Sequence, residues 1–411
     1  RDLRMSRGLG DVYKRQGFFS DDGMGMPKIS YDYQAPIGEF GLVRDSYQNL
    51  RILHTFLKDF GSILAPMETV LPEGYEKITP DNRETLRYAA RMKEDAGFIF
   101  MTNFQDHDTA RFDQTDLQLK LKLKKQTLII PSSKTFTLKK DQSVILPFNL
   151  SMEGALLKYS TTQLLAKVEE KNAVHYFFFA PEGLRTEYSF DKSTLSSGKE
   201  FYTPKPGLKS TFSITVKNGK TLKITTLTRQ QALNTTKVNN HILITEATVL
   251  PEKEQCTLLS LGKTQISYAL YTANKGWKEE TIEVQPVDVK ADWKKVGTRR
   301  MTVKIDQPDV PQVNDYFLRV NYVADVAMAF IGGYLVLDHY YYGIPWTIGL
   351  RRFKNELKNE YLSFYFRPLR KDAPFIGDLP VEAIPDFSQK DADCLVRSVD
   401  VIPEYKAIVN I

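Results

Sequence analysis

Apolar residues in this chain fall mostly at every second position or in short unbroken runs, and one stretch alone carries the three-and-four spacing of an amphipathic helix. From Gly97 onward, runs rich in aromatic and β-branched residues alternate with polar turns: "GFIFMTNFQ", "DLQLKLKLK", "QTLIIPS", "KTFTLKK", "SVILPFNL" and "VHYFFFAP". In the second of these, Leu117, Leu119, Leu121 and Leu123 alternate with polar residues, which predicts a strand with one buried face. "STFSITVKNGKTLKITTLT" predicts a hairpin turning at Asn218-Gly219, because that dipeptide suits the left-handed backbone of a tight two-residue turn. Strand-like runs resume in "RRMTVKI", "YFLRVNYVADVAMAFIGGYLVLDHYYYG" and "EYLSFYFRPL". The helix is predicted over Tyr47, Leu50, Leu53, Phe56, Leu57 and Phe60, with Gly61 as its stop. Pro66, Pro72 and Pro80 then punctuate a connecting stretch. Strands at this spacing, joined by polar turns, indicate a mainly β chain of sandwich or barrel type rather than alternating α/β units.

Length and charge narrow the picture. The chain has 411 residues, enough for several buried cores. Its 56 basic and 50 acidic residues nearly cancel, leaving +6 scattered along the sequence, which argues against nucleic acid as a partner. No apolar run reaches the roughly 18 residues of a membrane span. The two cysteines, Cys256 and Cys394, lie far apart, so neither a disulfide framework nor a zinc site is suggested. The five histidines show no ligand-like spacing, and no Gly-x-Ser-x-Gly elbow occurs. "SDDGMGM", from Ser20 to Met26, lacks the alternating ligands of a calcium loop.

Two stretches carry candidate chemistry. "ISYDYQAPIGEFG", from Ile29 to Gly41, gathers two phenols and a carboxylate that need partners, so the loop either caps a turn or faces a polar ligand. "HYYYGIPW", from His339 to Trp346, can stack on sugar rings or can simply be strand core.

"SYDYQAPIGEFGLVRDSYQNLRILHTFL" resembles the end of the catalytic barrel in family-35 glycoside hydrolases, the β-galactosidases, where a Ser-Tyr-Asp-Tyr-x-Ala-Pro loop precedes the last helix. "GFIFMTNFQDHD", "FTLKKDQSVILPFNL" and "YFFFAPEG" resemble the β domain after the barrel, and "VNYVADVAMAFIGGYLVLDHYYYGIPWTIGLRRF" looks like the family's terminal jelly roll. The segment 1–16 resembles a translated linker found at the ends of reading frames assembled from metagenomic reads. The resemblance implies several β-sandwich or jelly-roll domains following a remnant, the last loop and helix, of a (β/α)₈ TIM barrel. The expected layout is a non-native linker over 1–16, the barrel remnant over 17–64, and β domains over 65–193, 194–295 and 296–411. The helix would then turn its apolar face toward barrel neighbours.

By the same resemblance the parent is a retaining β-galactosidase that hydrolyses terminal β-linked galactose in oligo- or polysaccharides, without metal or organic cofactor. It would be secreted, periplasmic or bound to the cell envelope, with its N-terminal signal region missing here. Retaining enzymes use a glutamate as acid/base and a second as nucleophile, about 5 Å apart. The Asn-Glu-Tyr of "LKNEYLSF", Asn359 to Tyr361, lies among the β-domain matches and lacks the following glycine, so neither catalytic glutamate is assigned in this chain, which alone is expected to be inactive. The resemblance makes Tyr33 the residue that reaches galactose, with Tyr31 and Asp32 supporting the loop; the alternative is that all three only anchor it. Rival readings are a non-catalytic carbohydrate-binding or scaffolding β-sandwich protein, and a glycosidase of the same clan with another sugar preference.

Overall fold

The computed structural model describes residues 29–30, 35–105, 110–124 and 126–411, and the chain is mainly β, as the periodicity predicts. It divides into two compact units. The helix unit comprises 45–246, 267–280 and Ile411, and the loop unit comprises 1–44, 247–266 and 281–410.

In the helix unit, α1 spans Asp45–Leu64 and carries Asp45 in its first turn, where a carboxylate complements the helix dipole. The helix runs through Gly61 instead of stopping there, and Ala65 N–H still reaches the Gly61 carbonyl at 2.8 Å. Leu64 packs against the core beyond, so burial of one more apolar residue outweighs the roughly 1 kcal/mol that an interior glycine costs. Ile52, Phe56 and Phe60 are buried, whereas Leu50, Leu53 and Leu57 stay exposed. Of the six predicted positions only Phe56 and Phe60 are covered by the unit's own sheets, and Ile52, outside the predicted set, joins them. On its polar side Asp59 pairs with Lys237 at 2.7 Å and accepts the Lys167 N–H at 2.8 Å.

Beneath the helix lies a sandwich. A seven-stranded sheet runs in the order Glu68–Val70, Arg87–Lys93, Ala96–Thr102, Ser143–Met152, Ala155–Ser160, Tyr188–Phe190 and Phe201–Tyr202. A five-stranded sheet follows the order Gln163–Glu169, Ala173–Ala180, Thr221–Thr228, Phe212–Val216 and Leu195–Ser197. Phe98, Leu150 and Leu157 of the first meet Val174, Tyr176 and Phe178 of the second in one core, with Phe56 and Phe60. Phe177 and Phe179, on the opposite face of the same strand, enter a second core with Leu227 and Tyr271. That strand is therefore buried on both sides, which is why "VHYFFFAP" is continuous and not alternating. A hairpin forms at Asn218-Gly219 as predicted, but of the pair only Gly219 is left-handed, at φ +86°, and the Val216 N–H reaches the Lys220 carbonyl at 2.9 Å, so the turn is wider than two residues. The predicted strand through Leu117–Leu123 is divided in two, Gln114–Leu117 and Leu119–Lys122, which pair with different partners. Asp116 at φ +56° kinks the chain at the division.

The loop unit is a second sandwich. One five-stranded sheet runs Thr248–Pro251, Gln255–Leu261, Leu395–Asn410, Val313–Val323 and Trp346–Gly349; the other runs Ala291–Gly297, Arg300–Ile305, Leu362–Phe366, Val326–Ile331 and Tyr334–Tyr340. Leu318, Val320, Tyr322 and Ile348 from the first sheet interdigitate with Val303, Ala327, Phe364 and Phe366 from the second. Both cysteines are free thiols. Among the described residues no helix is long and apolar enough to cross a membrane, and no three His, Cys, Asp or Glu residues are grouped to hold a metal ion.

Candidate functional site

The loop predicted to carry polar chemistry is tied down within the loop unit. Asp338 ends an apolar stretch of the strand Tyr334–Tyr340 and is 1% exposed, so its carboxylate must find donors. It accepts the backbone N–H of Ile29 at 2.9 Å and of Ser30 at 2.6 Å, groups about 310 residues away in sequence. Farther along the loop, Glu39 binds Arg352 at 2.9 Å and accepts the Ser30 hydroxyl at 3.2 Å. The Arg352 guanidinium also lies 5.1 Å from the centre of the Phe40 ring, a cation–π distance. Phe40 is seated on Gly349, where an added Cβ would stand 2.9 Å from the Phe40 Cβ. The loop then closes on itself through the Ile37–Val43 bridge and a bond from the Gly38 N–H to the Leu42 carbonyl at 2.8 Å.

Against this loop stands the aromatic segment. His339 stacks on Trp346 with ring centres 5.3 Å apart and planes 10° off parallel, and the Tyr342 ring lies 5.3 Å from His339, tilted by 46°. The Tyr322 hydroxyl and His339 Nδ1 share a hydrogen bond of 2.7 Å, which fixes the imidazole plane. Burial pushes the Tyr322 phenol well above its ordinary pKa, so it stays a neutral hydroxyl. Gly343 sits at φ +92° with its Cα against Ala383, a turn that a Cβ would block at 2.6 Å. That turn separates the half-buried Tyr342 from Ile344, which is 51% exposed.

Between the two segments is a cleft of about 210 Å³, lined by Ser30, Glu39, Phe40 and Arg44 on one side and by His339, Tyr342, Trp346 and Thr347 on the other. It offers ring faces and hydrogen-bonding groups together, which suits a small ligand with one apolar face and a polar edge.

The residues predicted to touch or support a sugar, Tyr33, Tyr31 and Asp32, lie outside the described residues, as do the segments 1–16 and 20–26 and His107. The anchors Ile29 and Ser30 immediately before them are within the structure. The two readings of "HYYYGIPW" divide by residue: Tyr341 and Trp346 are each 4% exposed and belong to the core, while His339 and Tyr342 are half-buried at the cleft. Sequence reasoning missed Asp338 and Arg352. An aspartate inside "YLVLDHYYY" was the available signal, because an apolar strand does not keep a carboxylate without partners.

The described carboxyls whose proton affinity is raised are Asp315 and Glu404, both by burial first. They face each other across Val313–Val323 and Leu395–Asn410. Asp315 accepts the Tyr316 and Arg351 N–H groups at 2.7 Å each, and Glu404 accepts from the Asn314 amide. These are bonds within the sheet framework and its adjoining turn. Glu360 of the Asn-Glu-Tyr stretch is exposed just after a 3₁₀ turn, Glu356–Lys358.

Comparison with known proteins bears on the helix unit. No curated protein matches the chain. Among solved structures, the GH31 alpha-xylosidase from Xanthomonas citri aligns at 9% identity over 83% of this chain and 37% of that one, with a TM-score of 0.12, too low to carry an argument. The chain thus spans little more than a third of that structure. Residues 73–248, which hold most of the first sandwich described above, match the family model for domain 2 of beta-galactosidase, and this segment is a β-galactosidase-related domain.

Proposed function

We propose that the chain serves as the β-domain portion of a retaining β-galactosidase that hydrolyses terminal β-linked galactose. The observation that carries the reading is the match of residues 73–248 to β-galactosidase domain 2. The loop at 29–44 supports it, because its anchoring by Asp338, Arg352 and Gly349 is what a segment presenting side chains to a ligand requires. In this reading Tyr33 donates to or accepts from a galactose hydroxyl, while Tyr31 and Asp32 hold the loop. The acid/base and nucleophilic glutamates belong to a (β/α)₈ barrel and not to residues 1–411. Asp315 and Glu404 do not replace them, since both carboxyls are committed to donors of the sandwich framework.

The test is hydrolysis of an aryl β-galactoside. The 411-residue chain alone should give no turnover above background, and joined to a family-35 barrel it should turn over, with Tyr33→Phe lowering kcat/KM by roughly 10-fold to 1000-fold. Turnover by the chain alone, abolished by replacing one of its own carboxylates, refutes the assignment. Wild-type kinetics for Tyr33→Phe would reduce that tyrosine to a loop anchor.

A further inference from the structure

The cleft of the loop unit has a lining whose chemistry selects among ligand classes. Its aromatic groups, Phe40, Tyr342 and Trp346, come from both walls, and so do its polar groups, Ser30, Glu39 and Arg44 on one wall and His339 and Thr347 on the other. A lipid tail would strand those polar groups without water. A phosphate would meet the Glu39 carboxylate on the same wall as Arg44, whose guanidinium already donates to the Ala35 carbonyl. A lone metal ion would find one carboxylate, already paired with Arg352 at 2.9 Å. A pyranose fits all of these features, because its axial C–H groups make an apolar face for a ring and its hydroxyls a rim of donors and acceptors. At about 210 Å³ the cleft lies below the roughly 300–1,000 Å³ of sites for drug-sized ligands, which limits it to a single ring.

Preorganisation strengthens the case. Glu39 is oriented by Arg352 and Ser30, and Phe40 is seated on Gly349. His339 packs against Trp346 and Tyr342 and is hydrogen-bonded to Tyr322. Rigid walls reduce the ordering entropy that a weak ligand would otherwise have to offset.

We propose that this cleft is a binding site for one pyranose residue, such as the terminal hexose of a glycan. The inference stands on the cleft itself, and the β-galactosidase reading only sets the first sugar to try.

The experiment is saturation-transfer NMR and calorimetry on the full chain with methyl β-galactopyranoside, methyl β-glucopyranoside and the acyclic polyol sorbitol. A pyranoside should bind with a dissociation constant on the order of millimolar, the scale expected for about a dozen heavy atoms, and sorbitol should not bind. Bound sugar should shift the Trp346 indole and Thr347 amide resonances, a readout that needs no variant. Tyr342→Ala, and Ile344→Glu at an exposed rim position, should each weaken binding at least about 10-fold, Ile344→Glu without changing the thermal midpoint. If Tyr342→Ala does not fold, Ile344→Glu and the shifts decide. Absence of binding up to about 50 mM, equal binding of sorbitol, or shifts confined to other regions would overturn the proposal. Binding of the glucoside alone upholds the cleft and counts against a galactoside-specific protein, while failure of the cleft leaves the hydrolysis test untouched.

Discussion

Replacing Asp338 by asparagine probes the clamp on the loop with almost no change in shape. In the wild type both carboxylate oxygens accept, one from Ile29 N–H and the other from Ser30 N–H. Asparagine offers one carbonyl oxygen, and its amide nitrogen would face the second N–H donor to donor. A hydrogen bond to a charged acceptor contributes about 1.5–3 kcal/mol, so losing one and weakening the other could cost up to about 5 kcal/mol if both donors were dry. They are not, because Ile29 is 49% exposed and water can take over at its N–H. The expected local loss is therefore about 1–2 kcal/mol, which is roughly a 5-fold to 30-fold rise in opening. Native-state hydrogen exchange read residue by residue should show that acceleration at Ile29 and Ser30. Amides of the strand Val326–Ile331, deep in the sandwich, should be unaffected. Exchange at Ile29 and Ser30 within about twofold of wild type would refute the clamp.

Three further expectations concern the two units. Glu404 and Asp315 are like charges opposite each other, and burial raises both pKa values, so their stabilising contribution is complete only below the unfolded values near 4 and is lost as pH rises through the folded ones. Glu404→Gln should therefore stabilise the loop unit at pH 7 by about 0.2–1 kcal/mol and not at pH 3, as read by calorimetry at both pH values; equal effects at the two would contradict the coupling. In the helix unit, burial lowers the His175 pKa to about 3, with Tyr271 and Thr225 hydroxyls at 2.6 and 2.7 Å on its two nitrogens. A depressed histidine contributes stability that is whole above pH about 6.5 and is lost on acidification toward 3, with a slope of up to about 1.4 kcal/mol per pH unit. Its imidazole NMR signals should not titrate near 6.5, and a midpoint there would sink the argument. Phe56→Ala, which empties the space between Phe60 and Phe98 at 5.7 and 5.4 Å, should destabilise the helix unit by about 3–5 kcal/mol in denaturant melts. A loss below about 1 kcal/mol would mean that α1 is not part of that core.

Local patterns along the chain were enough to read its class. Period-two alternation marks strands half-buried by a sheet, the Asn218-Gly219 pair marks a hairpin, and the spacing from Tyr47 to Phe60 marks the helix Asp45–Leu64, because each is set by neighbours a few residues apart. The resemblance of the central runs to β-galactosidases agrees with the family match over 73–248. What only the folded chain decided is which faces meet. Ala173–Ala180 pairs in parallel with Thr221–Thr228, an arrangement with no short-range signal, and this pairing makes an unbroken apolar run into a strand buried on both sides. α1 passes Gly61 because Leu64 finds a core there, a gain invisible to any rule about glycine. The candidate site depends most on distance: Asp338 reads as an oddity in an apolar strand until the fold brings Ile29 and Ser30 to it. Periodicity records whether a side chain is buried, and the identity of what buries it is settled when segments hundreds of residues apart compete for the same surface.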